Sequence, residues 1–135
     1  MGRVFVCADI WSDHWQKHSY LGLTCNYVDQ SWELQKRILA FRVFDDTHTA
    51  DNIYKLMKII FEEYCIESKI FAIGFDNAAN NTAAVPQLIQ LCQPYSGGRF
   101  FHQRCVYHVL NICVQHGLQT LQEWITPIRD ALYFL

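Results

Sequence analysis

Lys69-Ile70-Phe71-Ala72-Ile73-Gly74-Phe75-Asp76-Asn77-Ala78-Ala79-Asn80-Asn81 is the stretch on which the fold turns. Its first half is an apolar run rich in aromatic and β-branched residues. Such a run predicts a strand buried on both faces, as in the middle of a parallel sheet. The strand delivers Asp76 to its C-terminal end. Two readings of that aspartate stay open: Asp76 or Asn77 caps the helix that follows, or Asp76 is a metal ligand.

A second all-apolar run, Val4-Phe5-Val6-Cys7-Ala8, also ends in an aspartate, Asp9. In open α/β sheets ligands sit in the crevice beyond the carboxyl ends of neighbouring strands. If these two strands are parallel neighbours, Asp9 and Asp76 face each other across that crevice. Two carboxylates so placed suit hard divalent cations and in-line displacement at phosphorus, where paired ions stand roughly 3.5–4 Å apart and a further acid usually bridges them.

Between the runs, residues 20–29 alternate as a half-buried antiparallel strand does, with Leu21, Leu23, Cys25 and Tyr27 on one face. Residues 32–44 predict a third strand, and the run Ile38-Leu39-Ala40-Phe41 hints at a bulge. Residues 50–64 switch to a helical period with Ile53, Leu56, Met57, Ile60 and Tyr64 inward and Thr49 as N-cap. After the central strand, residues 80–92 predict a helix burying Val85, Leu88, Ile89 and Cys92, with Pro86 in its first turn. A flexible connection at residues 93–98, a short fifth strand within 99–104, and helices at 107–117 and 118–135 complete the chain. The expected class is α/β: a mixed sheet of three antiparallel strands, a crossover helix, a parallel central strand and a short fifth strand, flanked by helices.

The totals agree with one domain. The chain has 135 residues, 51% of them apolar, and a formal net charge of −2 with 11 Lys and Arg. That balance excludes a module holding DNA by phosphate contacts alone, so nucleic-acid contact must be local. The six cysteines lie mostly in apolar segments with no secretory signal or long apolar span before them, which predicts reduced core thiols of an intracellular protein and no membrane partner.

Cys105-Val106-Tyr107-His108 and Cys113-Val114-Gln115-His116 invite a zinc assignment. On one helix the two pairs would stand about 12 Å apart, too far to share an ion, so no structural zinc is expected. His108 is then either a satisfied core histidine or a polar group near the crevice. Trp11, Trp15, Lys17 and His18 follow Asp9 and suit nucleic-acid contact by stacking and charge, or, for Trp11, plain packing under the strand ends.

Taken in order, several segments resemble the catalytic region of hAT-superfamily transposases, in particular the plant BED-zinc-finger, RICESLEEPER-like group with its many domesticated members. They are Ala8-Asp9-Ile10-Trp11-Ser12, Tyr27-Val28-Asp29 with residues 32–39, His48-Thr49, Phe75-Asp76-Asn77-Ala78-Ala79-Asn80, residues 101–111 and Ile128-Arg129-Asp130. The resemblance implies a ribonuclease-H-like fold with an Asp, Asp, Glu triad serving Mg2+ or Mn2+. Asp9 matches the first catalytic and metal-binding aspartate and Asp76 the second. Cys105 and His108 match a Cys-x2-His motif whose histidine lies near the DNA end. Arg104 in the same segment joins His108 and Trp11 as a DNA-binding candidate.

The resemblance further implies DNA as partner and a nuclear location. Its catalytic glutamate follows a large helical insertion, and neither falls within residues 1–135; Glu123 and Asp130 match no such motif. Nor do these residues include a BED finger or the dimerisation region through which a homodimer would form. Ala8 and Asp13 stand where many relatives carry threonine. The expectation is a partial transposase domain whose parent chemistry is metal-dependent DNA cleavage and strand transfer, inactive alone. The alternative is a non-catalytic DNA-associated or protein-interaction module of the same descent. An ordinary ribonuclease-H-like nuclease ranks third.

Overall fold

The computed structural model describes residues 2–13, 15, 18–119 and 121–133. The elements run β1 (Val4–Asp13), β2 (His18–Val28), β3 (Leu34–Val43), α1 (Ala50–Tyr64), a 3-10 turn at Glu67–Lys69, β4 (Ile70–Phe75), α2 (Ala79–Cys92), β5 (His102–Arg104), α3 (Val106–Gln119) and α4 (Gln122–Tyr133). The five strands form one sheet in the order β3-β2-β1-β4-β5. β1/β2 and β2/β3 pair antiparallel, whereas β1/β4 and β4/β5 pair parallel. This is the mixed α/β sheet expected of a ribonuclease-H-like chain, with β4 between β1 and β5; the expected burial on both faces holds for Ile70, Ala72, Ile73 and Phe75 but not for Phe71, which is exposed.

The expected bulge is present. Leu23 pairs with Ala40 and Thr24 with Ile38, so Leu39 is the extra residue, and its carbonyl accepts a hydrogen bond from the Tyr64 hydroxyl at 2.6 Å. β1 outruns its expected end: it continues through Asp9 to Asp13 because residues 9–13 pair with residues 18–22 of β2. An alternating strand with one covered face needs no further apolar run to persist.

The covered face carries Val4, Val6, Ala8, Leu21, Leu23, Cys25 and Ala40 against Ile53, Met57, Ile60 and Phe61 of α1 and Ala84, Leu88 and Cys92 of α2, all in one buried cluster. Thr49 caps α1 as expected, its Oγ1 accepting from the Asn52 N–H. The inward face is turned slightly: Phe61 is fully buried, while Tyr64 lies at the exposed end of the helix. α2 is turned further, burying Asn81, Ala84, Leu88 and Cys92 and leaving Val85 and Ile89 half-covered. Its first residue is Ala79, which puts Pro86 in the interior rather than the first turn, on the exposed side where a lost N–H is tolerable.

Residues 93–101 are tied rather than flexible. Gly97 N–H donates to the Pro94 carbonyl, Arg99 N–H to Ser96 and Phe101 N–H to Gly98. Gly98 takes φ +90°, and a Cβ there would come within 3.0 Å of the Ile89 side chain. The expectation of mostly core thiols is also revised: Cys25 and Cys92 are buried, but Cys65 and Cys113 are exposed.

The chain divides after Cys105 into two compact units. In the second, α3 and α4 form over nearly the expected stretches, with Pro127 inside α4. Val109, Leu110, Ile112, Cys113 and Val114, expected inward, are exposed. Two short helices alone have too little surface to enclose a side chain.

Candidate functional site

The parallel pairing of β1 with β4 positions the two aspartates. Cys7 stands opposite Gly74, and two residues further along each strand lie Asp9 and Asp76. Both therefore occupy the C-terminal rim of adjacent parallel strands. Asp9 lies within β1, opposite Gly22 of β2, on the face away from the buried Ala8, and is exposed. Gly22 leaves room there: a Cβ would come within 3.2 Å of the Trp11 ring.

Asp76 is half-buried one residue past β4. Its Oδ1 accepts from the Ala78 N–H at 2.8 Å and from the Asn81 side-chain amide. The N-cap of α2 is Ala78 itself, without a side-chain cap, so neither Asp76 nor Asn77 caps the helix. Asp76 instead closes a turn of side chain onto backbone two residues on. Among the described residues nothing donates to its Oδ2. Asn81 is 4% exposed, the polar member of α2's buried stripe, and fixes the carboxylate from within. Next along the chain, the Asn77 Oδ1 is buried without a hydrogen-bond partner.

β5 extends the same rim. Arg104 pairs with Phe75, the residue before Asp76, and the Cys105 N–H donates to the Phe75 carbonyl at 2.7 Å. Arg104 is exposed. His102, two residues earlier, meets Phe75 edge-on at 6.1 Å, and its Nε2 is buried without a partner. Burial, and then the charge of Arg104, lower its pKa. Burial likewise raises the Cys7 thiol, and the Cys105 sulfur adds to the rise against hydrogen bonding from Thr24 and Asn26.

Trp11, two residues beyond Asp9 and on the same face, lies against Tyr20 and Phe41 with ring centroids 5.9 and 5.4 Å away. It remains 39% exposed, so it both packs on the sheet and presents an edge to solvent. Trp15 is exposed, His18 Nδ1 is 2.7 Å from Asp45 Oδ2, and Lys17 lies outside the described residues. His108 is half-buried on the first turn of α3, in the second unit. The structure thus brings Asp9, Asp76, Trp11 and Arg104 to one rim of the first unit.

Among the described residues no group of three or more His, Cys, Asp or Glu side chains gathers tightly enough to hold an ion. The donor set at the rim is nevertheless of hard oxygens, the Asp9 and Asp76 carboxylates, the type Mg2+ and Mn2+ prefer, though fewer than their coordination number. The sequence reading missed Asn81. Its signal was available, because Asn81 shares the i, i+3, i+7 spacing of Ala84 and Leu88, and a polar residue on a buried stripe must have a partner.

The family model described as the ZBED1 RNase-like domain matches residues 7–97. An AC transposase sequence of Zea mays is 34% identical over 132 residues, covering 94% of this chain and 16% of that protein. The zinc finger BED domain-containing protein RICESLEEPER 1 of Oryza sativa subsp. japonica is 22% identical over 142 residues, covering 99% of this chain and 19% of its own length. DAYSLEEPER of Arabidopsis thaliana, also named for a BED zinc finger, is 25% identical over 91 residues, 67% of this chain and 13% of its own. The chain therefore spans less than a fifth of the length of these curated relatives. With a five-stranded mixed sheet and a family match across most of its length, it belongs to the ZBED1 RNase-like family, within the group derived from hAT transposases.

Proposed function

We propose that this chain is the nucleic-acid-facing part of a transposase-derived catalytic domain, in which Asp9 and Asp76 together hold a divalent cation. The observation that carries this reading is the register of β1 on β4, which sets the two carboxylates at one rim, each with an oxygen free of partners among the described residues. A bound Mg2+ or Mn2+ would supply Lewis-acid activation for displacement at phosphorus. The chain's own contribution is to orient Asp76 through Asn81 and Ala78, to place Asp9 on a paired strand, to set Trp11 beside it for a base, and to bring Arg104 to the same rim for a phosphate. On this reading the partner is DNA, the location nuclear, His108 a DNA contact from the second unit, and dimerisation a property of regions outside these residues. Cleavage needs a third carboxylate, so the chain by itself binds metal without turning over.

A titration with Mn2+ followed by Trp fluorescence tests it, since Trp11 lies two residues from Asp9. Quenching in the wild type should weaken at least tenfold in Asp9→Asn and in Asp76→Asn, and the double variant should be no weaker than the worse single one. Equal affinity in all four proteins would overturn the site. Metal-dependent DNA cleavage by the wild type, lost in Asp76→Asn, would show that the third carboxylate is dispensable.

The second reading, a DNA-associated module that keeps the fold without catalysis, is favoured by Asp76 itself. One of its oxygens is already spent on the Ala78 N–H and the Asn81 amide, a structural task that needs no metal.

A further inference from the structure

At the end of the sheet opposite Asp9 and Asp76, the start of β1, the start of β4 and the loop before β5 enclose a groove of about 390 Å3. That lies within the roughly 300–1,000 Å3 of small-ligand sites. Its walls are Arg3, Phe5, Phe71, Tyr95, Arg99 and Phe100. In a chain of net charge −2, the groove holds two guanidinium groups and, among the described residues, no carboxylate. Neither arginine forms an ion pair among the described residues. The Arg3 guanidinium lies over the Tyr95 ring, 5.2 Å from its centroid.

The rings are held outward rather than buried. Tyr95 is 88% exposed and Phe100 77%. Phe100 also takes φ +62°, a left-handed conformation that is strained for a bulky residue. Local bonds hold it there: the Ser96 hydroxyl donates to the Arg99 carbonyl and the Gln103 amide to the Phe100 carbonyl, both at 2.7 Å. Exposed aromatic faces interleaved with unpaired arginines are the chemistry that receives a base by stacking and its phosphates by forked hydrogen bonds.

We propose that this groove binds an unpaired nucleic-acid strand, a base stacking on Phe100 and Tyr95 while Arg3 and Arg99 take the adjoining phosphates. The lining runs from Phe71 to Gln103, which pairs with Gly74 two residues before Asp76, and includes neither aspartate, so the groove needs no metal. A base must be unstacked from its neighbours to lie among these rings, which favours a single strand over duplex.

The test is fluorescence anisotropy of the whole chain with a labelled ten-nucleotide oligo-dT in EDTA at low salt, where the aspartates make no contribution through a cation. Phe100→Ala and Tyr95→Ala should each weaken binding on the order of tenfold. Arg3→Ala with Arg99→Ala should reduce the slope of log K against log salt by about 1.4, two phosphates' worth on a single strand. Lys55→Ala on α1 should leave binding within about twofold of wild type, and because EDTA removes any cation from the aspartates, the groove and the metal reading fail independently. A duplex of the same length and free dTMP should compete poorly. Absence of binding by the wild type, or losses in the groove variants no larger than in Lys55→Ala, would overturn the proposal. So would dTMP competing as well as the strand at equal nucleotide concentration, which would make the ligand a free nucleotide.

Discussion

Asn81 shows how much one buried amide can decide. Buried polar groups must find partners, and here the partner is the Asp76 Oδ1 that the Ala78 N–H also holds. Asn81→Ala should destabilise the chain by about 1–3 kcal/mol, since it removes a charge-assisted bond and leaves the carboxylate short of a donor. Urea unfolding measures that loss, and Mn2+ affinity should fall with it. Asn80→Ala, one residue away and exposed, should change stability by no more than about 0.5 kcal/mol. Asp9 and Asp76 were legible as candidates in the sequence because each ends an apolar run. Asn81 was missed although its spacing with Ala84 and Leu88 carried the signal, because Val85 and Ile89 suggested a different inward face for α2.

At the scale of elements, hydrophobic patterning located the four longer strands and the four α-helices but not the 3-10 turn at Glu67–Lys69, and the errors fall where a tertiary neighbour overrides it. β1 runs on through polar residues because β2 supplies a pairing partner as far as His18. α2 begins one residue early and rolls its face toward α1, where the Gln87 amide donates to Asp51 at 2.7 Å. Pro86 lies inside the helix, beyond the first turn from either start, and deprives the Thr82 carbonyl of its usual donor. Pro86→Ala should restore the bond and stabilise the chain by about 1–2 kcal/mol, the helix gain being partly offset by a looser unfolded chain. The midpoint of urea unfolding should rise at an unchanged slope; a fall would mean that the ring itself packs usefully.

For the whole molecule, the buried cluster draws all its residues from the first unit. A chain ending at Cys105 should therefore keep its sheet and unfold in one cooperative transition, as circular dichroism during heating will show. Loss of cooperativity would mean that α3 and α4 are needed to complete the core. The apolar pattern of residues 107–117 predicted a helix correctly and its burial wrongly, because periodicity reports which face could be covered and not whether anything covers it. The parallel pairing of β1 with β4, only a condition in the sequence reading, is what two buried runs, a meander and one crossover leave room for, since few topologies remain.

The kink that Leu39 introduces into the outermost strand carries one more consequence. β3 leaves a row of backbone donors and acceptors facing solvent, next to exposed Leu34, Ile38 and Phe41. Open edges of that kind invite aggregation. The extra residue breaks the straight template, and Lys36 and Arg37 add positive charge that a second copy of the strand would have to meet. The same local irregularity that ties Tyr64 to the sheet thus acts as a gatekeeper against fibre growth.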